Sequence, residues 1–202
     1  MISGLFGLPG SGKSVSLVKG ADKALRGKPF SIGGHLLHTG KYEQVFTNFP
    51  VEGCYQLKWD ELGKVEIRDS LIICDEIMLY ADSRQYKNFS DDLTFFFAEH
   101  RHFNVDFIYA SQTYRDCDIR IRNLTEHFYL CEPTPIFGRY FTMASPIKSG
   151  INVSNGQIQE GYVLEKFPHI GICYMPKYWN KYDTHALIGG KSELTRPTLQ
   201  QW

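Results

Sequence analysis

Apolar positions gather in short runs of strand length, separated by stretches with helical spacing. Met1-Ile-Ser-Gly-Leu-Phe6 is mainly apolar and predicts an N-terminal strand. From Val15 to Leu25 apolar residues recur at Leu17, Val18, Ala21, Ala24 and Leu25, which predicts a helix that Gly27 and Pro29 end. Residues 28 to 44 are rich in Gly and Lys and read as a connection. Gln44-Val-Phe-Thr-Asn-Phe-Pro50 predicts a second strand, closed by Pro50, and Trp59-Asp-Glu-Leu62 a short helical turn. Ser70-Leu-Ile-Ile-Cys-Asp-Glu76 is an apolar run that ends in two carboxylates, as in a buried parallel strand. Ser90 predicts an N-cap, with Asp91 and Asp92 where the helix dipole favours anions. That helix is expected to run to about His102 and to bury Leu93, Phe96, Phe97 and His100. Asn104 to Gln112 predicts another strand, Asp118 to Asn123 a second short helix, and Thr125 to Cys131 a fifth strand.

The texture changes at Pro133. Alternation in Arg139-Tyr-Phe-Thr-Met143, the Asn155-Gly156 turn signal and Gln159 to Leu164 predict antiparallel hairpins. Gly171 to Trp202 is rich in aromatic and turn residues. The expected organisation is a core over residues 1–132 and a β-rich extension of the same domain over 133–202.

Composition narrows the class. The formal net charge of the 202 residues is zero, so no global field drives the chain onto nucleic acid or an anionic membrane. Lys19, Lys23, Arg26 and Lys28 cluster on the first helix and its exit and read as a solvated face. Cysteines at 54, 74, 117, 131 and 173 form no C-x-x-C pair, the pattern of reduced thiols in a cytoplasmic protein. No stretch approaches the ~18 apolar residues of a membrane span. Aromatic residues are spread along the chain, which predicts core and interface roles more than a stacking platform for single strands.

The chemistry lies where the predicted strands end. Gly7-Leu8-Pro9-Gly10-Ser11-Gly12-Lys13-Ser14 fits the phosphate-binding pattern G-x-x-x-x-G-K-[ST], between a strand and a helix as that chemistry requires. Glycines let backbone N–H groups converge on clustered negative charge, and the following helix adds the positive end of its dipole. Lys13 is expected at the β- and γ-phosphates of ATP, and the Ser14 hydroxyl on Mg²⁺. Asp75 would hold the same Mg²⁺, and Glu76 would act as general base on the attacking water. Gln112 is expected at the γ-phosphate or that water. His100 and His102 lack a third His or Cys at ligand spacing and predict packing or hydrogen bonding instead of a metal site.

Taken in order, the Gly7–Ser14 loop, Thr47-Asn48, Cys74-Asp75-Glu76, His100-Arg101-His102 and Ser111-Gln112 resemble the zonular occludens toxin (Zot) domain. That domain is shared with the gene I assembly protein of filamentous bacteriophages. The resemblance covers roughly residues 1 to 135, and Tyr182-Asp-Thr184 more loosely. The Gln112, Asp118 and Arg120-Ile-Arg122 run is also similar to the wider FtsK/HerA group of DNA-pumping ATPases. The resemblance implies an α/β P-loop NTPase with a mainly parallel five-stranded sheet flanked by helices. It further implies a homo-oligomeric ring and ATP hydrolysis coupled to extrusion of single-stranded phage DNA. The implied partners are that DNA or its coat complex and membrane-embedded assembly proteins, at the cytoplasmic face of the host inner membrane.

In such a ring an arginine of the adjoining copy completes the site, and Arg101, Arg120 and Arg122 are the candidates. Family members usually continue into a transmembrane helix and a periplasmic tail, and these 202 residues contain neither. Two readings stay open, a cytoplasmic portion of a longer chain and a short form docked on a separate membrane protein. A secreted-toxin role gains no support. The alternative function is a small-molecule or nucleotide kinase, which shares the loop but often carries an Arg-rich lid; between residues 76 and 90 the only arginine is Arg84. A scaffold that binds ATP and seldom hydrolyses it is a third reading, against which Glu76 stands.

Overall fold

The computed structural model describes residues 1–32, 35–38, 42–84, 89–154, 157–164 and 170–182. Among the described residues there are eleven strands and three α-helices, α1 (Lys13–Leu25), α2 (Asp91–Glu99) and α3 (Ile119–Leu124). The strands of the main sheet are β1 (Ile2–Phe6), β4 (Gln44–Thr47), β5 (Tyr55–Gln56), β6 (Ser70–Cys74), β7 (Asp106–Ser111), β8 (His127–Pro133), β9 (Phe141–Ser154), β10 (Gln157–Leu164) and β11 (Gly171–Tyr174). Their order is β10-β9-β8-β1-β7-β6-β4-β5, with β11 also on β9. Every pairing from β8 through β5 is parallel. The pairings of β9 with β8, β10 and β11 are antiparallel.

The expected α/β fold with a mainly parallel sheet is therefore present, with one parallel strand more than five. The addition is β5, only 2 residues long, on the outer edge. A second correction concerns residues 28 to 44, read as a connection. They hold an antiparallel pair, β2 (Phe30–Ile32) and β3 (His35–His38), too short to leave a period-two signature. The helix expected to reach His102 ends at Glu99, with His100 as its cap. Asn155-Gly156 and residues 183–202 lie outside the described residues.

Central strands are buried on both faces, so their apolar side chains divide between two cores. Leu5, Leu71, Ile73, Ile108 and Ala110 face α1, packing with Leu17, Val18 and Ala21. Ile2, Phe6, Ile72, Phe107 and Tyr109 face α2 and α3, packing with Leu93, Phe96, Phe97 and Ile121. Gly4 on β1 makes room for a neighbour, since a Cβ there would stand 2.8 Å from the Tyr109 ring. Because β1, β6, β7 and β8 run parallel, their C-terminal ends share one edge of the sheet, and the candidate chemistry collects there.

Candidate phosphate-binding site

The loop leaves β1 at Gly7, where a side chain would collide with the Cys131 carbonyl and the Ser11 hydroxyl. It closes on itself through the Ser11 N–H, which donates to Leu8 O at 3.1 Å. Gly12 enters α1 at φ 91°, in the left-handed region that glycine adopts without cost. No acidic residue occupies the first turn of α1 and no side chain caps it, so its N–H groups and positive dipole end are left for an anion. Lys13 is buried and curls back over the loop, its Nζ donating to Gly7 O at 2.8 Å and Leu8 O at 3.2 Å. Leu8, by contrast, is 76% exposed, a lone apolar side chain at the loop tip.

The acids arrive on β6. Ser14 Oγ donates to Asp75 Oδ2 at 2.5 Å, and Asp75 is buried. The Asp75 backbone is clamped by Asn48 at the end of β4. Asp75 N–H donates to Asn48 Oδ1 at 2.7 Å, and Asn48 Nδ2 donates back to Asp75 O at 2.7 Å. Asp75 Oδ1 accepts the Glu76 N–H at 3.0 Å. Glu76 has φ 48° and ψ 56°, left-handed values that a residue with a Cβ adopts only at a cost of order 1 kcal/mol.

Electrostatics follow from that burial. Desolvation raises the Asp75 carboxyl above its ordinary range, opposed by the Ser14 hydroxyl, the Glu76 N–H and the Lys13 charge. Glu76 is raised by burial and then by the charge of Asp75, opposed by Lys13 and by a hydrogen bond to Gln112. Ser11 Oγ and Glu76 Oε2 are buried and lack partners among the described residues. Among those residues no cluster of three His, Cys, Asp or Glu forms. A cation here would have hard oxygen ligands from Ser14 and Asp75, the set that suits Mg²⁺ completed by water and phosphate.

Lys13, Ser14, Asp75, Glu76 and Gln112 thus come together. Gln112 follows β7 and also lines, with Gly7, Leu8 and Thr113, a cavity of about 370 Å³. The arginines do not join them. Arg101 precedes β7, whose six residues separate it from the site edge by about 20 Å. There it pairs with Glu126 at 3.1 Å, beside the N-terminal amine. Arg120 Nε and Nη2 grip the two Asp118 oxygens at 2.9 Å, with the guanidinium 4.1 Å from the Phe89 ring centroid. Arg122 lies over the Tyr114 ring at 4.8 Å.

His100 packs as expected, 4% exposed, with Nδ1 at 2.8 Å from Phe97 O. Two residues at the site escaped the sequence reading. Asn48 belonged to a recognised motif without a role, and Thr142, whose hydroxyl meets the Ser11 carbonyl, had no local signal. Among the described residues no helix is long and apolar enough to cross a membrane.

Comparison with known proteins assigns the chain to a family. A family model for the zonular occludens toxin (Zot) matches residues 1–163. The chain is similar to the N-terminal domain of zonular occludens toxin from Neisseria meningitidis, at 17% identity over 90% of this chain and 98% of that chain, with TM-score 0.57. It is more distantly similar to the genome packaging NTPase B204 from Sulfolobus turreted icosahedral virus 2, in complex with sulfate, at 12% identity over 79% of this chain and 94% of that chain (TM-score 0.45). The flagellar accessory protein FlaH from Methanocaldococcus jannaschii gives 13% identity over 82% of this chain and 89% of that chain (TM-score 0.44). A search of curated proteins gave no match. With the family model spanning most of its length, the chain belongs to the zonular occludens toxin (Zot) family.

Proposed function

We propose that this chain is an ATP-hydrolysing motor for filamentous phage assembly, working as a homo-oligomeric ring at the cytoplasmic face of the host inner membrane. Its load is single-stranded phage DNA or the coat complex of that DNA, passed to membrane-embedded assembly proteins. The observation that carries the enzymatic part is the contact between Ser14 and Asp75 at 2.5 Å, with Glu76 next in sequence and half-buried beside it. The family membership supports the phage-assembly part.

The loop N–H groups and the α1 N-terminus bind the phosphates of ATP, and Lys13 exchanges its two carbonyl partners for phosphate oxygens. Ser14 and Asp75 would hold Mg²⁺, which neutralises charge on the phosphates when bound. Glu76 takes a proton from the attacking water at Oε2, the buried oxygen without a partner. Gln112, at the end of β7 on the same edge of the sheet, is placed to act on Glu76 or on that water. As the water oxygen bonds the γ-phosphorus, the bridge to the β-phosphate breaks and ADP carries away the electron pair. A neighbouring copy would supply an arginine to the developing charge. Arg101, 67% exposed against 35% for Arg120, is the more exposed of these two candidates, and it too holds an acid, Glu126, as Arg120 holds Asp118.

Phosphate release from ATP is the test. Turnover should require Mg²⁺, rise cooperatively with protein concentration, and vanish in Lys13→Ala, whereas Glu76→Gln should bind ATP without turning it over. Transfer of phosphate to a small acceptor with little release to water would make the protein a kinase. Binding without hydrolysis would make it a scaffold.

A further inference from the structure

Thr142 opens the antiparallel part of the sheet, yet its side chain serves the phosphate loop. Its hydroxyl donates to Ser11 O at 2.5 Å across 131 positions of sequence, and the residue is 1% exposed. The same oxygen lies 3.2 Å from Glu132 O; with a single proton to give, the hydroxyl serves the nearer carbonyl. The β8–β9 register, which sets Pro133 opposite Thr142, brings it there. Contact with the loop is close on a second side. A Cβ on Gly12 would stand 2.6 Å from Thr142 Cβ and 2.7 Å from its Cγ2, so the glycine backbone lies directly against the threonine.

The consequence comes from the peptide plane. In a trans peptide the carbonyl of Ser11 and the N–H of Gly12 point in opposite directions. Holding that carbonyl toward β9 turns the Gly12 N–H away from β9. Glycine on one side of the peptide offers little resistance to rotation. Without an anchor the unit is free to flip, and a flipped carbonyl aims negative charge at the anion the loop must bind.

We propose that Thr142 is a positioning residue for the nucleotide: it fixes the Ser11–Gly12 peptide with its N–H toward the phosphates, so that β9 sets the affinity of the loop. The proposal rests on the ATP-binding reading above. Thr142→Val keeps the shape and removes the hydroxyl. Thr142→Ser and Thr142→Ala differ by the hydroxyl alone and give the same comparison should the valine variant fail to fold. Two measurements apply, the Gly12 amide ¹⁵N resonance in ligand-free protein and the affinity for Mg²⁺ with a non-hydrolysable ATP analogue.

The hydroxyl-free variants should move the Gly12 resonance and bind the analogue roughly tenfold more weakly, and serine should restore both. Unchanged affinity in Thr142→Val, or a serine variant as weak as alanine, would overturn the proposal. Wild-type protein that binds no analogue would instead overturn the proposed function, a result distinct from wild-type binding with unaffected variants.

Discussion

Ser14 and Asp75, 61 positions apart in sequence, are joined by a hydroxyl-to-carboxylate hydrogen bond of 2.5 Å at the point where α1 begins and β6 ends. The bond offsets part of the cost of burying the Asp75 carboxylate, whose other supports are one N–H and the Lys13 charge. Ser14→Ala should therefore do two things. It should lower stability of the ligand-free protein by about 1–3 kcal/mol, read from a urea titration. It should also weaken Mg²⁺-dependent ATP binding at least tenfold, read as the affinity difference with and without Mg²⁺. A variant that keeps its full response to Mg²⁺ would remove Ser14 from the metal site.

Asn48 matters through geometry alone. Its side chain takes both backbone groups of Asp75, so β4 continues to hold β6 one residue beyond the end of that strand. Asn48→Ala leaves a buried N–H and C=O to find water, at about 1–3 kcal/mol, and frees the turn that aims Glu76. Turnover should fall more than ATP affinity, because the phosphate loop keeps its own contacts. Steady-state kinetics beside equilibrium binding separate the two. Asn48→Asp should be no better, since a carboxylate can accept from Asp75 N–H but cannot donate to Asp75 O.

The parts legible in the sequence were those written in consecutive residues. The loop, the Asp75-Glu76 pair and the strand leading to Gln112 each combine a run with its chemistry, and parallel strands then carry their ends to one edge. What stayed hidden depends on distant partners or on very short elements. The clamp of Asn48 on Asp75 spans 27 positions and the bond of Thr142 to Ser11 spans 131, and neither leaves a local period. Phe30–Ile32 and Tyr55–Gln56 are shorter than the window in which alternation can be seen. Arg101 stands just before β7, at the end of the sheet opposite the site of its own chain, so only an adjoining copy could bring it to a phosphate.

Glu76 combines a left-handed backbone, a buried unpartnered oxygen and the repulsion of Asp75. Such a residue is retained at the expense of stability. Glu76→Gln removes the charge and keeps the shape, so the ligand-free protein should gain about 1 kcal/mol while turnover is lost. Thermal denaturation of both proteins without nucleotide reads the gain directly. A glutamine variant less stable than wild type would mean that Glu76 is supported by its surroundings, not strained by them.

His100 gives the fold a pH dependence away from the phosphate loop. Phe97 O can only accept, so the 2.8 Å contact requires the proton on Nδ1 and leaves Nε2 bare, buried and without a partner among the described residues. Burial lowers the pKa of His100 below its ordinary 6.5, helped by the N-terminal amine and Arg101 and opposed by the Phe97 carbonyl and Glu126. The unfolded chain therefore binds this proton more readily than the folded one. Stability is complete above about pH 6.5, falls as the pH drops below that value, and levels off once the folded form is protonated too. Urea titrations between pH 5 and 8 should show that slope in wild type and less of it in His100→Gln, a side chain that takes up no proton in this range. Parallel profiles for the two proteins would assign the slope to another histidine.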